Sequence, residues 1–443
     1  MKNNKRWMIV PKKFQAPRGT RDFLPEEMIL REKVFDTVKR VFKKWGFDPF
    51  KTPAFENYEL FTMKDSIGEG EANKLYIFED KSKRKLALRF DQTVPFARQV
   101  TNNPQLPKPI KRWEISRVWR YEETKKGRYR EFWQCDVDTV GSKDMIADAE
   151  IIGCTLEVLR ELGFDDCYMR INNRKLLSAI LQYSGISKDK ITDVFRDIDK
   201  LDKIGIEGVR KELKKDGIQE DQVERIVEII GIKGNAGEVL EKAEGLIGDI
   251  KIGKEGVEEL KKLVGYLKKM GIENVKVDMS LVRGLDYYTS TIFEAMSSDK
   301  KIGSLAGGGR YDKMIASFSG EKGEVPAVGV GIGTERIIDL LKERVGAKAK
   351  TSTRLFVVNV NEKVFGKCLE LAQEFRKAGI STQVNLMEKP LSKQLEYANS
   401  LGIPFAVIVG EKEIEAGKYK LKNMESGEEK QLKVEEIIKK IIC

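Results

Sequence analysis

The sequence predicts an α+β protein: an antiparallel-sheet body interrupted by a helical insertion, followed by an α/β domain. Three observations predict it. Between residues 74 and 140, strand-like runs follow one another closely with little helical pattern between them, as antiparallel sheets require. From about Asn173 to Met270 the composition shifts to Lys, Glu, Ile and Leu, with glycines between short helical stretches. From about Thr351, strand and helix patterns alternate with short loops, as in an independent α/β domain. The 443 residues exceed one ordinary core. We expect 1–172 and 273–348 to form the body, 173–272 the insertion and 351–443 the last domain.

Each element has its own signal. Residues 1–25 are a basic, Pro-punctuated lead ending in PRGTRDFLP. Met28, Val34, Phe35, Val38, Val41 and Phe42 recur largely at spacings of three and four, which predicts an amphipathic helix over 26–45, ended by Gly46. Asp48–Phe55 is extended and broken by prolines. Strand patterns follow at Lys74–Glu79, Leu86–Phe90, Arg112–Tyr121 and Glu131–Val140, then helical spacing over Asp144–Leu162. After the insertion, strands resume at 275–295, 302–307 and 326–333, with a helix from Thr334. The last domain reads as strands Arg354–Val360, Thr382–Leu386 and Pro404–Val409, helices Glu362–Ala378 and Leu391–Leu401, a charged hairpin and a helix Val434–Ile442.

Composition sets limits. Hydrophobic content of 41% with 34% charged residues fits a globular protein. No apolar run approaches the ~18 residues of a membrane helix, and the N-terminus lacks a signal-peptide core, so we expect a cytoplasmic protein without membrane attachment. A net charge of +11 attracts polyanions, nucleic acid first; solvated Lys-rich helix faces account for it equally. The five cysteines are scattered, with no CxxC pair, and read as reduced, mostly buried thiols. The chain has no histidine. Zinc is therefore improbable, and any chemistry must run on Arg, Lys, Asp, Glu, Tyr and Thr.

Five segments carry candidate chemistry. Leu281–Tyr288, LVRGLDYY, places Arg283, an acid and two phenols at the mouth of the strand TSTIFEA. In Ser116–Asp138, Arg120 closes one strand pattern, and period-two alternation sets Arg128, Arg130, Phe132, Gln134, Asp136 and Asp138 on one face of the next. Such a face suits a phosphate-bearing ligand; a solvated hairpin with cross-strand ion pairs explains it as well. In LALRFDQTVP, Arg89, Asp91 and Thr93 share a face on which Asp91 suits an ammonium, or which is simply a strand end. GSLAGGGRYD sets three glycines after a short strand, for close ligand approach or for a turn. In PAVGVGIGTER, Gly329, Gly331 and Gly333 leave a side-chain-free strip on which a flat ring, or a helix, could pack. Thr334 is placed to cap the next helix, which projects Arg336. Together these are the parts of an ATP site without a P-loop, and no GxxxxGK[ST] occurs.

These residues resemble class II aminoacyl-tRNA synthetases, and specifically the histidyl-tRNA synthetase family. PRGTRDFLP is similar to that family's N-terminal signature. Residues 26–45 with Pro53 resemble motif 1, 112–138 motif 2 and 326–340 motif 3. LVRGLDYY and AGGGRYD resemble the two histidine-specific motifs, which in this order are highly specific. The resemblance covers nearly the whole chain and implies a class II catalytic domain with a helical insertion and a C-terminal anticodon-binding domain. It implies histidine, ATP and tRNA as substrates, magnesium with the ATP (protein ligands unassigned), and a homodimer through motif 1. By position, Arg120 would grip the α-phosphate, Arg336 would sit against adenine and the distal phosphates, and Arg283 would stabilise charge on the α-phosphate. Glu122, Gly331 and Gly333 would complete the ATP site. Asp91, Thr93 and Gln134 would bind the substrate ammonium, Asp138 and Tyr288 the two imidazole nitrogens, and Arg128 and Tyr311 would line the same pocket. Ser290 and Thr334 depart from the residues expected there, and Asp138 is an aspartate where bacterial relatives carry glutamate. Related non-catalytic readings are a tRNA-sensing module, which typically loses catalytic arginines, and a shortened regulatory paralogue, which lacks the last domain. A threonine or proline enzyme of the same subclass is a further alternative.

Overall fold

In the computed structural model, residues 14–124, 127–282, 287–299, 302–320, 323–345 and 350–442 are described. They form two compact units, one centred on Val34–Leu340, the other on Leu341–Cys443 together with Asp22–Lys33.

The first unit is built on an eight-stranded sheet. Its strands are β1 (Asp48–Pro49), β2 (Ile110–Trp119), β3 (Glu131–Val140), β4 (Cys167–Asn173), β5 (Val275–Val277), β6 (Thr291–Ser297), β7 (Ser304–Arg310) and β8 (Ala327–Gly333), in the order β1-β2-β3-β8-β7-β6-β4-β5. The six central strands are antiparallel to their neighbours, and only the short edge strands pair in parallel. Alternation decides which residues face the site. On β3, Cys135 and Val137 are buried on the back while Gln134, Asp136 and Asp138 face front. Helix α1 (Pro25–Lys44) buries Val34, Phe35, Val38, Val41 and Phe42, and Phe35 packs on Trp133 with ring centroids 5.0 Å apart.

Helix α2 (Thr93–Thr101) corrects the sequence reading. The strand beginning at Lys85 stops at Leu88, and Asp91 Oδ1 accepts the Val94 N–H at 3.0 Å, so the chain enters a helix where β alternation was expected. Helix α3 (Ile146–Glu161) is buried over most of its length and crosses the back of β3, β4, β6, β7 and β8. There Arg310 forms a buried ion pair with Asp148. The three glycines of AGGGRYD lie inside β7 rather than after a strand, so Arg310 points back and Tyr311 points to the front.

The insertion is helical: α4 (Arg174–Tyr183), α5 (Ile191–Ile198), α6 (Leu201–Lys215), α7 (Glu220–Ile230), α8 (Ala236–Ile247) and α9 (Lys251–Lys269). Asn173 caps α4 by accepting the Lys175 N–H at 2.9 Å. Gly256 lets α9 approach α4, since a Cβ there would lie 2.9 Å from Leu176 Cγ. Glu259 of α9 accepts from Asn173 and Ser290, tying the insertion to the sheet at 2.7 and 2.6 Å. Helix α10 (Thr334–Val345) follows β8.

The second unit carries a five-stranded sheet: β9 (Leu355–Asn359), β10 (Thr382–Val384), β11 (Phe405–Val409), β12 (Tyr419–Asn423) and β13 (Glu429–Leu432), ordered β10-β9-β11-β12-β13. The first three are parallel, and the last two add antiparallel. Alternation along β9 sends Leu355 and Val357 into one core, with α11 (Phe365–Lys377) and α13 (Val434–Ile442). Phe356 and Val358 enter a second core with α12 (Leu391–Ser400). A short helix at Glu411–Ala416 has no counterpart in the sequence reading.

Candidate active site

Two adjoining cavities open on the front of the large sheet. The first, about 230 Å³, is lined by Asp91, Thr93, Arg120, Glu122, Arg128, Gln134, Tyr288, Tyr311 and Gly331 from the predicted set, and also by Asp136 and Tyr287. The second, about 380 Å³, is lined by Arg120, Glu122, Arg128, Gly333 and Arg336, with Phe132, Glu294 and Ser304. Arg120, Glu122 and Arg128 border both. Arg283 lies outside the described residues, as do its neighbours Gly284 to Asp286.

Arg120 is oriented from three sides. Its Nε donates to the Phe90 carbonyl at 3.1 Å, and its guanidinium lies 4.2 Å over the Phe90 ring and 5.2 Å from that of Phe132. Glu122 pairs with Arg128 and, at 3.4 Å, with Lys74. Arg336 reaches back to β7 and donates to the Ser304 carbonyl at 2.6 Å. Gly303 makes room for it, with φ at +67° and a hypothetical Cβ only 3.0 Å from the guanidinium. Thr334 does not cap α10. It is the first helical residue, and its hydroxyl donates to the Trp133 carbonyl at 2.5 Å. Glu335 beside it accepts the Trp133 N–H at 3.2 Å and pairs with Arg21 at 2.5 Å.

The first cavity has a charged floor. Arg112 is fully buried and lies 2.7 Å from Asp138 and 3.7 Å from Glu114. Tyr311 donates its phenol to Asp138 at 2.7 Å. Arg89 is also buried, 2.9 Å from Glu114, and does not line the cavity; it shares no ligand face with Asp91 and Thr93 because the chain turns into α2 between them. Arg130 precedes β3, so strand alternation does not place it. Its side chain stacks on Tyr121 at 4.0 Å and against Gly19 of PRGTRD, where a Cβ would lie 2.6 Å from it.

Burial governs protonation here. It raises the Asp91 carboxyl, against the pull of the Val94 N–H and Arg120. It raises Asp138 against Arg112 and Tyr311, and pushes Asp136 well above the ordinary carboxylate value despite Arg112. Burial opposes charge on Arg112 too, but Asp138, Asp136 and Glu114 outweigh it and the guanidinium is raised. The phenols of Tyr287 and Tyr311 are pushed well up, first by burial.

The glycine strip serves a purpose other than a flat floor. Gly329, Gly331 and Gly333 pair in register with Asp138, Asp136 and Gln134. A Cβ at Gly329 would lie 1.9 Å from Asp138 Oδ1, and one at Gly331 2.8 Å from Gln134 Nε2 and 3.2 Å from Asp136 Oδ1. The missing side chains make space into which these polar groups lean. Asp138 itself does not reach the cavity wall; Asp136 does. Asp136, Arg112 and Tyr287 are among the residues here to which the sequence reading gave no role. The signal for Asp136 was present, since strict alternation already placed it between Gln134 and Asp138.

An antiparallel sheet whose one face presents two adjoining polar cavities, with arginines at their junction and far end and no P-loop, defines the catalytic unit of a class II aminoacyl-tRNA synthetase. Comparison with known proteins narrows this. Residues 19–337 match the family model for Histidyl-tRNA synthetase, and 354–443 that for the Anticodon binding domain. The chain belongs to the histidyl-tRNA synthetase family. It is 42% identical over 431 residues to a histidine–tRNA ligase of Aeropyrum pernix, covering 96% of this chain and 97% of that one. It is 39% identical over 440 residues to one from Gloeobacter violaceus, at 92% and 93% coverage. The crystal structure of histidyl-tRNA synthetase from Nostoc superposes with a TM-score of 0.86 at 31% identity, covering 97% of this chain and 99% of that one.

Proposed function

We propose that the two cavities carry out the two-step reaction of a histidine–tRNA ligase. Histidine occupies the first cavity and ATP the second. The histidine carboxylate attacks the α-phosphorus of ATP in line, pyrophosphate leaves, and the terminal ribose hydroxyl of tRNA then attacks the adenylate carbonyl. The work is positioning and charge neutralisation, so a protein without imidazole is chemically sufficient. The observation that carries this reading is Arg120, held by Phe90 at the border of both cavities, where amino acid and α-phosphate must meet.

In this reading Asp91, Thr93 and Gln134 hold the ammonium, while Tyr288 and the Asp138–Tyr311 pair frame the imidazole. Glu122, Gly333 and Arg336 border the nucleotide, and Arg283 neutralises charge on the α-phosphate. Gly331 opens on the histidine cavity instead. Magnesium arrives as part of the ATP substrate. Among the described residues no group of three acidic or cysteine side chains forms a metal site, and such ions are held largely by phosphate oxygens. The second unit would read the anticodon, a second copy of the chain would pack on the α1 region, and the enzyme would work in the cytoplasm. Among the described residues no helix is long and apolar enough to cross a membrane. A shortened regulatory paralogue would lack the domain matched at 354–443, and a tRNA-sensing module typically loses arginines such as Arg120 and Arg336.

The test is amino-acid-dependent ATP–pyrophosphate exchange with histidine, threonine and proline, followed by charging of tRNA. Exchange with histidine alone is expected. Exchange with another amino acid, or none with any, overturns the reading.

A further inference from the structure

We propose that Arg21, in the PRGTRDFLP lead, is a positioning residue for the nucleotide. It neutralises the Glu335 carboxylate on the wall of the second cavity and ties it to Tyr129, which lines the same cavity. The inference rests on the reading above that ATP occupies this cavity. Glu335 is 4% exposed and directly precedes Arg336. A carboxylate buried there without a counter-charge would repel a triphosphate. The Arg21 guanidinium lies 2.5 Å from Glu335 Oε2, while Oε1 accepts the Trp133 N–H at 3.2 Å, so both oxygens are engaged. Arg21 stands outside the wall of either cavity and acts through its neighbours.

The lead is built to hold Arg21 in this place. Thr20 closes a turn on Pro17, its N–H and its hydroxyl donating to the Pro17 carbonyl at 3.0 and 2.7 Å. The Gly19 carbonyl accepts the Arg130 N–H at 2.8 Å, which fixes the lead to the segment entering β3. At Gly19 φ is +85°, and a Cβ would lie 2.6 Å from Arg130 and 2.8 Å from Thr124, so glycine is what allows so close an approach. Two residues on, the Arg21 guanidinium stacks 3.7 Å over the Tyr129 ring. Tyr129 belongs to the segment between β2 and β3, and Glu335 to the first turn of α10. One guanidinium therefore joins two segments that frame the nucleotide cavity, and its charge favours a polyanion there.

Exchange kinetics of Arg21→Met, Arg21→Lys and a double variant combining Arg21→Met with Glu335→Gln test this. Arg21→Met is expected to raise KM for ATP roughly 5- to 20-fold, below the full value of a charged hydrogen bond because Arg21 is partly exposed. KM for histidine should stay within about twofold. Arg21→Lys keeps the charge and should recover much of the loss. Glu335→Gln removes the carboxylate charge and keeps an oxygen for the Trp133 N–H, so the double variant should show a lower KM for ATP than Arg21→Met alone. An unchanged KM for ATP in Arg21→Met overturns the inference. Equal rises in KM for both substrates, or a double variant no better than Arg21→Met, also overturn it, because they mark a scaffold role. Wild-type enzyme without histidine-dependent exchange would overturn the functional reading, and this inference with it; normal wild-type exchange isolates the Arg21 result.

Discussion

Replacing Gly329 by alanine should disable the site from beneath. The new Cβ would lie 1.9 Å from Asp138 Oδ1, 2.6 Å from its Cγ and 3.2 Å from the Val137 carbonyl. Contact at about 3.5 Å is the comfortable limit, so the carboxylate must retreat by about 1.5 Å. It has nowhere to go without losing Tyr311 or Arg112, each 2.7 Å away. Separating a buried charge from its partner costs about 3–5 kcal/mol. That predicts a fall in melting temperature on the order of 4–7 °C and a large loss of histidine-dependent exchange. The neighbouring glycines grade the effect. Gly331→Ala presses on Gln134 and Asp136 and should cost about 1–3 kcal/mol, with KM for histidine raised. Gly333→Ala meets only the Leu305 carbonyl at 3.5 Å and should melt nearly as wild type. Thermal denaturation and exchange on the three variants suffice. If Gly329→Ala proves as stable and active as Gly333→Ala, the argument that these glycines make room for the acids is wrong.

Three further outcomes are expected. Arg112→Met leaves Asp138 without its buried cation, while Glu114 keeps Arg89, so it should destabilise by about 3–5 kcal/mol; urea denaturation reads this directly. Arg283→Ala should lower kcat for exchange by about 100- to 1,000-fold with an unchanged circular dichroism spectrum, and near-normal exchange would remove its proposed role. Asp136→Asn should stabilise the empty enzyme by about 0.5–2 kcal/mol at neutral pH. Because burial raises this carboxyl in the fold, its charge costs stability at high pH and the cost fades as pH falls toward the ordinary carboxylate range. The advantage of the variant over wild type should therefore shrink on acidification, and a constant difference in melting temperature across pH would count against the assignment.

Much of this was legible in the sequence because alternation is a strong signal. Glu131–Val140 is a strand at the predicted bounds, and its front face is the site. The helical insertion and the α/β domain declared themselves by composition and period. What failed was local. LALRFDQTVP continues an alternating pattern beyond Leu88, and only the Asp91-to-Val94 hydrogen bond reveals that a helix begins there. Arg89 and Arg112 look alike in sequence to the ligand-facing Arg120. Their burial against Glu114 and Asp138 is a tertiary fact that no spacing encodes. The glycine strip was visible, but whether it faced a ring or a row of acids depended on the register of β8 against β3.

A crystal structure of the enzyme with histidine and a non-hydrolysable ATP analogue tests the central claim most directly. The account predicts the amino acid in the first cavity, the nucleotide in the second, and Arg120, Arg283 and Arg336 all within hydrogen-bonding distance of the phosphates. A nucleotide bound elsewhere, or any of these three guanidiniums turned away from it, would contradict the account.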